Sequence, residues 1–205
     1  MVGMTTSELG LRDRKKLAMR AALSHTAWRL MVEKGLDAVT PETIAEAADV
    51  SSRTFRNYFA SREEAILDGL IHQGTSLVSA FRARPAGEPV WDSMMHVLSG
   101  VLSGIVGERN DITMLMRAIR DDPGMQAQHL VTYERTNRIL AEVLAERTGT
   151  DIARDLAPRL LAAAASLALR TSIELWAEGV TDVALPDLVR ESLALLRAGL
   201  PLPAA

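Results

Sequence analysis

The 205-residue chain contains no cysteine. A disulfide scaffold, a thiolate metal site and a cysteine nucleophile are therefore excluded. Aromatic residues make up only 4%. That shortage disfavours an all-β sandwich, while the abundance of Ala and Leu favours helices. No stretch reaches about 18 uninterrupted apolar residues, and no basic start precedes an apolar run. The expectation is a soluble, cytoplasmic protein with no membrane partner. A glycine-rich phosphate loop and a nucleophile elbow are also missing. The histidines His25, His72, His96 and His129 lie far apart, none with a helical partner at metal-ligand spacing. No metal site, no cofactor and no catalytic residue are expected. What remains is the balance of an ordinary globular protein, with 48% hydrophobic and 24% charged residues.

Charge is unevenly placed. Residues 1–62 carry ten Lys/Arg against seven Asp/Glu, a net of +3, and residues 63–205 carry thirteen against nineteen, a net of −6. Lys15, Lys16 and Lys34, the only lysines, all fall in the first part. A basic N-terminal module on an acidic body follows.

The chain punctuates itself into an all-α architecture of about nine helices. After an arm over residues 1–10, apolar residues recur at Leu17, Ala21, Ala27, Leu30 and Met31, and Gly35 ends the run. Thr40-Pro41 opens a short helix to about Ala48. Ser51 caps a third helix through about Tyr58, and Ser61-Arg62-Glu63-Glu64 is a capping box for a fourth, to about Phe81. Pro85-Ala86-Gly87-Glu88-Pro89 is the clearest break. Beyond it, helices are predicted over 90–107, 111–121, 124–148, 152–178 and 186–198, with Pro158 delaying or bending the eighth. The last residues, 201–205, read as a frayed tail. The domains are expected at 11–60 and 61–200.

The stretch TPETIAEAADVSSRTFRNYF, residues 40–59, carries the chemistry. Ile44, Ala45 and Ala48 share one helix face, Phe55 and Phe59 another, and a short polar turn plugged by Val50 separates them. That is a helix-turn-helix. Its second helix enters the DNA major groove, and the outward set Ser52, Arg53, Thr54, Arg56, Asn57 and Tyr58 has no carboxylate to repel phosphate. Arg53 or Arg56 can donate to guanine and Asn57 to adenine. Tyr58, Thr40, Ser51 and Thr54 suit phosphate contacts. Arg62 lies at a helix start, where free backbone N–H groups also favour an anion. Arg12, Arg14, Lys15, Lys16 and Arg20 add backbone attraction.

Residues 14–67 resemble the N-terminal domain of the tetracycline-repressor (TetR) family of bacterial regulators. The residues that carry the resemblance are Ala27, Gly35, Thr40, Ile44-Ala45, Ala48, Val50-Ser51, Thr54-Phe55, Tyr58-Phe59 and Ser61-Arg62-Glu63-Glu64. Three positions depart from the family pattern. Asp49 replaces the usual turn glycine, at a position suited to a left-handed conformation that Asp tolerates. Arg56 replaces the usual aromatic, and Arg62 the usual lysine.

The resemblance implies a helical C-terminal domain that dimerises and binds a small hydrophobic effector. Trp91, Met94, Met95, Leu98, Met114, Met125, Tyr133 and Trp176 are the candidate pocket lining; the same methionines would also serve as core filler. The stretch from Met114 to Gly179 resembles a subgroup associated with acyl-CoA-like ligands. Arg117, Arg120 or Arg170 would then meet a phosphate or carboxylate, or else form surface ion pairs with Asp121, Asp122 or Glu174. Leu160, Leu161, Ala164, Leu167, Ala168 and Thr171 form one stripe, and Leu188, Val189, Leu193, Leu195 and Leu196 another. Paired between two copies they would make a four-helix interface, or they would pack within one subunit. The expected function is a ligand-responsive repressor that binds palindromic double-stranded operator DNA as a homodimer. The alternatives are an activator of the same fold, a helical adaptor that does not bind DNA, and an enzyme.

Overall fold

The computed structural model describes residues 10–105 and 109–201. The arm expected before Gly10 and the tail expected after Pro201 lie outside the described residues. Those residues are helical, with no strand among them: α1 (Leu11–Lys34), a 3-10 turn (Leu36–Ala38), α2 (Pro41–Ala47), α3 (Ser52–Arg56), α4 (Arg62–Arg82), α5 (Val90–Ile105), α6 (Arg109–Asp121), α7 (Pro123–Thr148), α8 (Leu156–Ala177) and α9 (Leu185–Arg197).

The boundaries follow from local chemistry. Thr40 Oγ1 accepts the Thr43 N–H and Thr43 Oγ1 accepts the Thr40 N–H, a reciprocal cap with Pro41 at the first helical position. Asp122 caps α7 through the Met125 N–H, and left-handed Gly149 ends it. Two boundaries differ from expectation. α3 stops at Arg56, with Asn57 as its C-cap. α8 begins at Leu156 rather than near 152, because a helix continuing back from Pro158 would meet the Arg154 carbonyl with the proline ring.

The chain divides into two units, Met1–Leu70 and Ile71–Ala205, so that α4 contributes its first nine residues to one and the rest to the other. In the first unit the core comprises Leu23, Ala27, Leu30 and Met31 of α1, Ile44 and Ala45 of α2, Phe55, Phe59 and Ala65–Leu67. Leu17 and Ala21, on the expected apolar period of α1, are exposed. The 3-10 turn and α2, against which α1 packs within its unit, are short and cover only its C-terminal half.

The second unit is a bundle in which α8 packs on α7 and α9, and α9 on α5. Ala162, Ala165 and Ala168 of α8 are fully buried, and such small side chains permit close helix approach. Leu140 and Leu144 of α7 and Leu185, Val189 and Leu193 of α9 complete the core with Met94, Val97 and Leu98 of α5. Arg147 at the end of α7 donates to the carbonyls of Arg84 and Glu88, tying down the loop between α4 and α5. In that loop the Arg84 guanidinium and the Ser93 hydroxyl, reinforced by Arg147, hold the Glu88 carboxyl down at about 2.

Candidate nucleic-acid interface and effector region

α2 and α3 are joined by Ala48–Ser51, and the Val50 N–H returns to the Ala45 carbonyl. Asp49 sits at φ +54°, the left-handed conformation expected where the family carries glycine. Ser51 Oγ accepts the Thr54 N–H at 3.0 Å and starts α3. Phe55 is fully buried and meets Phe59 with ring centroids 5.7 Å apart, which anchors the helix from below. The opposite face is open. Arg53, Arg56 and Asn57 are exposed, and Ser52, Thr54 and Tyr58 half-buried. Thr40 is half-buried, Ser51 is exposed at its cap position, and Lys15 is exposed on α1. Arg56 is engaged in one contact, Nη2 to Glu42 Oε1 of α2 at 3.2 Å.

Two cations expected at phosphate turn inward instead. Arg62 donates through Nη1 to the carbonyls of Leu36 and Val39, each at 3.1 Å, and through Nε to Glu63. It hooks the start of α4 to the loop before α2, so its guanidinium is a structural tie. Burial pushes the Glu63 carboxyl up, but hydrogen bonds from Arg62, its own backbone N–H and Ser61 outweigh that and leave it lowered. Arg20 bonds Asp68 at 2.7 and 3.0 Å and Glu64 at 3.0 Å, donates to the Tyr58 carbonyl, and lies 4.2 Å from the Phe59 ring centroid. Its donors are engaged within the fold.

The outward α3 face and its frame match a known pattern. The family model described as bacterial regulatory proteins, tetR family, matches residues 23–67. The model for the MftR C-terminal domain of that family matches residues 88–201, more than half of the chain. The chain belongs to the TetR family. It is a transcriptional regulator of that family, 32% identical over 164 residues to the HTH-type transcriptional regulator TcmR of Streptomyces glaucescens, covering 75% of this chain and 71% of that protein. YdeS of Bacillus subtilis, an HTH-type regulator, is 27% identical over 66% of this chain and 67% of its own. Among solved structures, the TetR-family repressor FadR of Thermus thermophilus, in complex with lauroyl-CoA, superposes with a TM-score of 0.63 at 21% identity, covering 91% of this chain and 97% of that one. The multidrug binding protein EbrR, complexed with imidazole, gives 0.54 at 22% identity over 91% and 97%. Both establish the fold. TetR-family regulators bind operator DNA and small-molecule effectors, typically as dimers.

The candidate effector residues differ in burial. Met94, Leu98 and Met125 are fully buried, the first two within the core; Trp91, Met95, Met114, Tyr133 and Trp176 are partly covered. Arg109 of α6 lies 5.0 Å from the Trp176 ring centroid and donates to the Thr181 carbonyl. Arg117 and Arg120 face solvent, and Arg170 pairs with Glu174 on its own helix at 3.4 Å. A narrow apolar crevice, too tight to admit a water molecule, is lined by Leu77, Val78 and Phe81 of α4 and by Thr136, Ile139, Leu140 and Val143 of α7.

A further group stands on α7. Met125, His129, Thr132, Thr136 and Leu140 recur at three- and four-residue spacing on one face of α7. Thr132 is 3% exposed and its hydroxyl has no hydrogen-bond partner. Burial and the nearby Arg170 lower the His129 pKa, against a smaller opposing effect of Glu174. The signal was a polar interruption of an apolar stripe.

The dimer candidates divide. Leu160 is 57% exposed, and Leu167, Thr171 and Leu195 are also exposed, with Ala164 half-buried. Leu188, expected on the same surface, is buried in its own subunit at 7% exposure, because α9 turns Leu185, Leu188, Val189 and Leu193 toward the interior. Among the described residues α8 is the one helix long and apolar enough, by length and composition, to cross a membrane, and it carries Arg159, Arg170 and Glu174.

Proposed function

We propose that the protein is a dimeric repressor that reads palindromic operator DNA through α3 and lets go when a small hydrophobic effector binds the second unit. The observation that carries the reading is α3 itself: Arg53, Arg56 and Asn57 point outward over a fully buried Phe55, on a short helix without a carboxylate. Arg53 and Arg56 would address guanine, Asn57 adenine, and Ser52, Tyr58 and the cap hydroxyls of Thr40 and Ser51 the phosphates, with Lys15 adding charge.

Dimerisation follows from the exposed apolar residues of α8 and α9. Leu156, Leu160, Leu167 and Leu195 lie open to solvent on helices whose other faces are packed. A second copy would cover them and set two recognition helices about 34–36 Å apart, the spacing of one DNA turn. Such a regulator works in the cytoplasm, beside its DNA. The unpartnered Thr132 hydroxyl beside His129 favours an effector with an apolar body and at least one hydrogen-bonding group. An acyl-CoA is the candidate class, supported by the lauroyl-CoA bound to the FadR neighbour. Release requires that the effector bind the DNA-incompetent arrangement more tightly, and DNA must then weaken the effector by the same factor.

The test is native mass spectrometry of the purified protein with acyl-CoAs of graded length, followed by affinity measurements on a duplex selected from random sequence. A dimer that takes up one chain-length class, and binds the duplex less tightly when loaded, is the expected result. A monomer would overturn the interface. Equal affinities with and without ligand would sink the switch, and tighter binding on loading would make the protein an activator or co-repressed regulator. Turnover of an acyl-CoA would revive the enzyme reading.

A further inference from the structure

We propose that Glu42 aims Arg56 at DNA, so that the pair, rather than Arg56 alone, fixes one G·C base pair in each operator half-site. The inference rests on α3 as the reading helix and concerns how it discriminates. Glu42 stands in the first turn of α2 and Arg56 at the end of α3. Nη2 of Arg56 lies 3.2 Å from Glu42 Oε1, with the side chains 67% and 60% exposed. Each has the other as its one side-chain hydrogen-bond partner among the described residues.

A pair this open adds little to the fold, so its value lies at the surface it occupies. A carboxylate beside the recognition helix would repel phosphate if it stood alone. Bound to Arg56, its charge is cancelled, and Arg56 brings no net attraction to the DNA backbone. What Arg56 retains is geometry. The guanidinium has five N–H donors in a fixed plane, and Glu42 engages one of its nitrogens. The remaining edge is available for guanine O6 and N7. An arginine held at one side before binding loses less rotamer freedom when it pairs. An aromatic at position 56 would have neither the charge nor the fork, so Arg56 and Glu42 form one device. Glu42 is a positioning residue, and Arg56 the contact.

The experiment selects binding sites from a random-sequence duplex pool with the intact protein and with Arg56→Ala, Glu42→Ala and Glu42→Gln. Affinity for a fixed alternating dA-dT duplex is then measured across salt concentrations. The intact protein is expected to enrich a palindrome containing one G·C pair per half-site that Arg56→Ala no longer prefers. Glu42→Ala should weaken preference at that same pair about tenfold while leaving other positions unchanged. It should also steepen the log K against log salt slope by about 0.9 for each half-site, because an uncancelled arginine now releases a counterion. Glu42→Gln keeps an acceptor without the charge, so it should restore the base preference in part and keep the steeper slope. Thermal midpoints unchanged within a degree or two exclude a merely structural role. An enrichment profile and salt slope identical to the intact protein in both Glu42 variants would overturn the inference, as would a Glu42→Ala loss spread evenly over all positions. If the intact protein enriches no common sequence, operator reading by α3 itself falls.

Discussion

Replacing Arg20 by alanine is expected to destabilise the first unit by about 3 kcal/mol. Asp68, which Arg20 bonds twice, is 1% exposed, so deleting the guanidinium removes two donated bonds from a carboxylate held away from water. Breaking a buried pair from one side costs about 3–5 kcal/mol. Arg20 keeps a quarter of its side chain exposed, which moves the expectation to the lower end. Contact with the Phe59 ring contributes a further ~0.5–1 kcal/mol. Urea unfolding in a Trp91→Phe, Trp176→Phe background, followed by the fluorescence of Trp28, the one tryptophan of this unit, reads the loss. Arg20→Lys should recover little, since a single ammonium cannot bond Asp68 twice and also reach Glu64 and the Tyr58 carbonyl. Arg20→Met with Asp68→Leu should recover part of the loss, because the buried carboxylate is removed together with its arginine partner. A loss below about 1 kcal/mol for Arg20→Ala, or a double variant no better than the single one, would refute the buried-pair argument.

Other perturbations have clear signs. Asp49→Gly should raise the thermal midpoint, relieving up to about 1 kcal/mol at φ +54°, and Asp49→Val should lower it by more than that. His129 is less easily protonated when folded, so its contribution is complete above the ordinary value of 6.5 and is lost as pH falls through it. His129→Gln should flatten the stability curve between pH 7 and 5 (a range set by that ordinary value), as measured by thermal melts in matched buffers. Glu88, held at about 2, contributes above its unfolded value and loses that contribution as pH drops toward 2. Glu88→Gln should therefore cost stability at neutral pH and little at pH 2 in the same melts. Leu160→Glu with Leu167→Glu should leave the subunit folded and shift native mass spectra from dimer to monomer, since both side chains are exposed in the single chain.

The helix-turn-helix was legible because its determinants are local. Thr40-Pro41 and Ser51 announce their caps, and a turn that lacks glycine left only the left-handed conformation to be tested at Asp49. The fates of Arg20 and Arg62 were not legible. A cation near a DNA-facing surface looks the same in sequence whether it meets phosphate or a carboxylate 44 residues away, as Arg20 meets Glu64. The second unit was legible as helices, while its candidate pocket rested on residue type alone. Methionine and leucine fill cores and line pockets alike, so composition could not separate buried Met94 from a surface that greets a ligand. Leu188 and Leu195 lie seven residues apart on α9, yet the first is buried and the second open. Helical drift over two turns, together with the rotation of α9 against α5 and α8, decides such cases.

The two inward-turned arginines have a mechanical consequence. Arg62 grips the carbonyls just before α2, and Arg20 clasps Glu64 in the first turn of α4 and Asp68 in the second. The opening turns of α4 are thereby clamped to the reading head, which leaves no soft joint between them. Whatever moves those opening turns would carry α2 and α3 with them, as a crank carries a fixed tool, without reshaping the cutting edge. An inducer acting by that route would alter which half-site spacings are tolerated and leave untouched which bases are preferred.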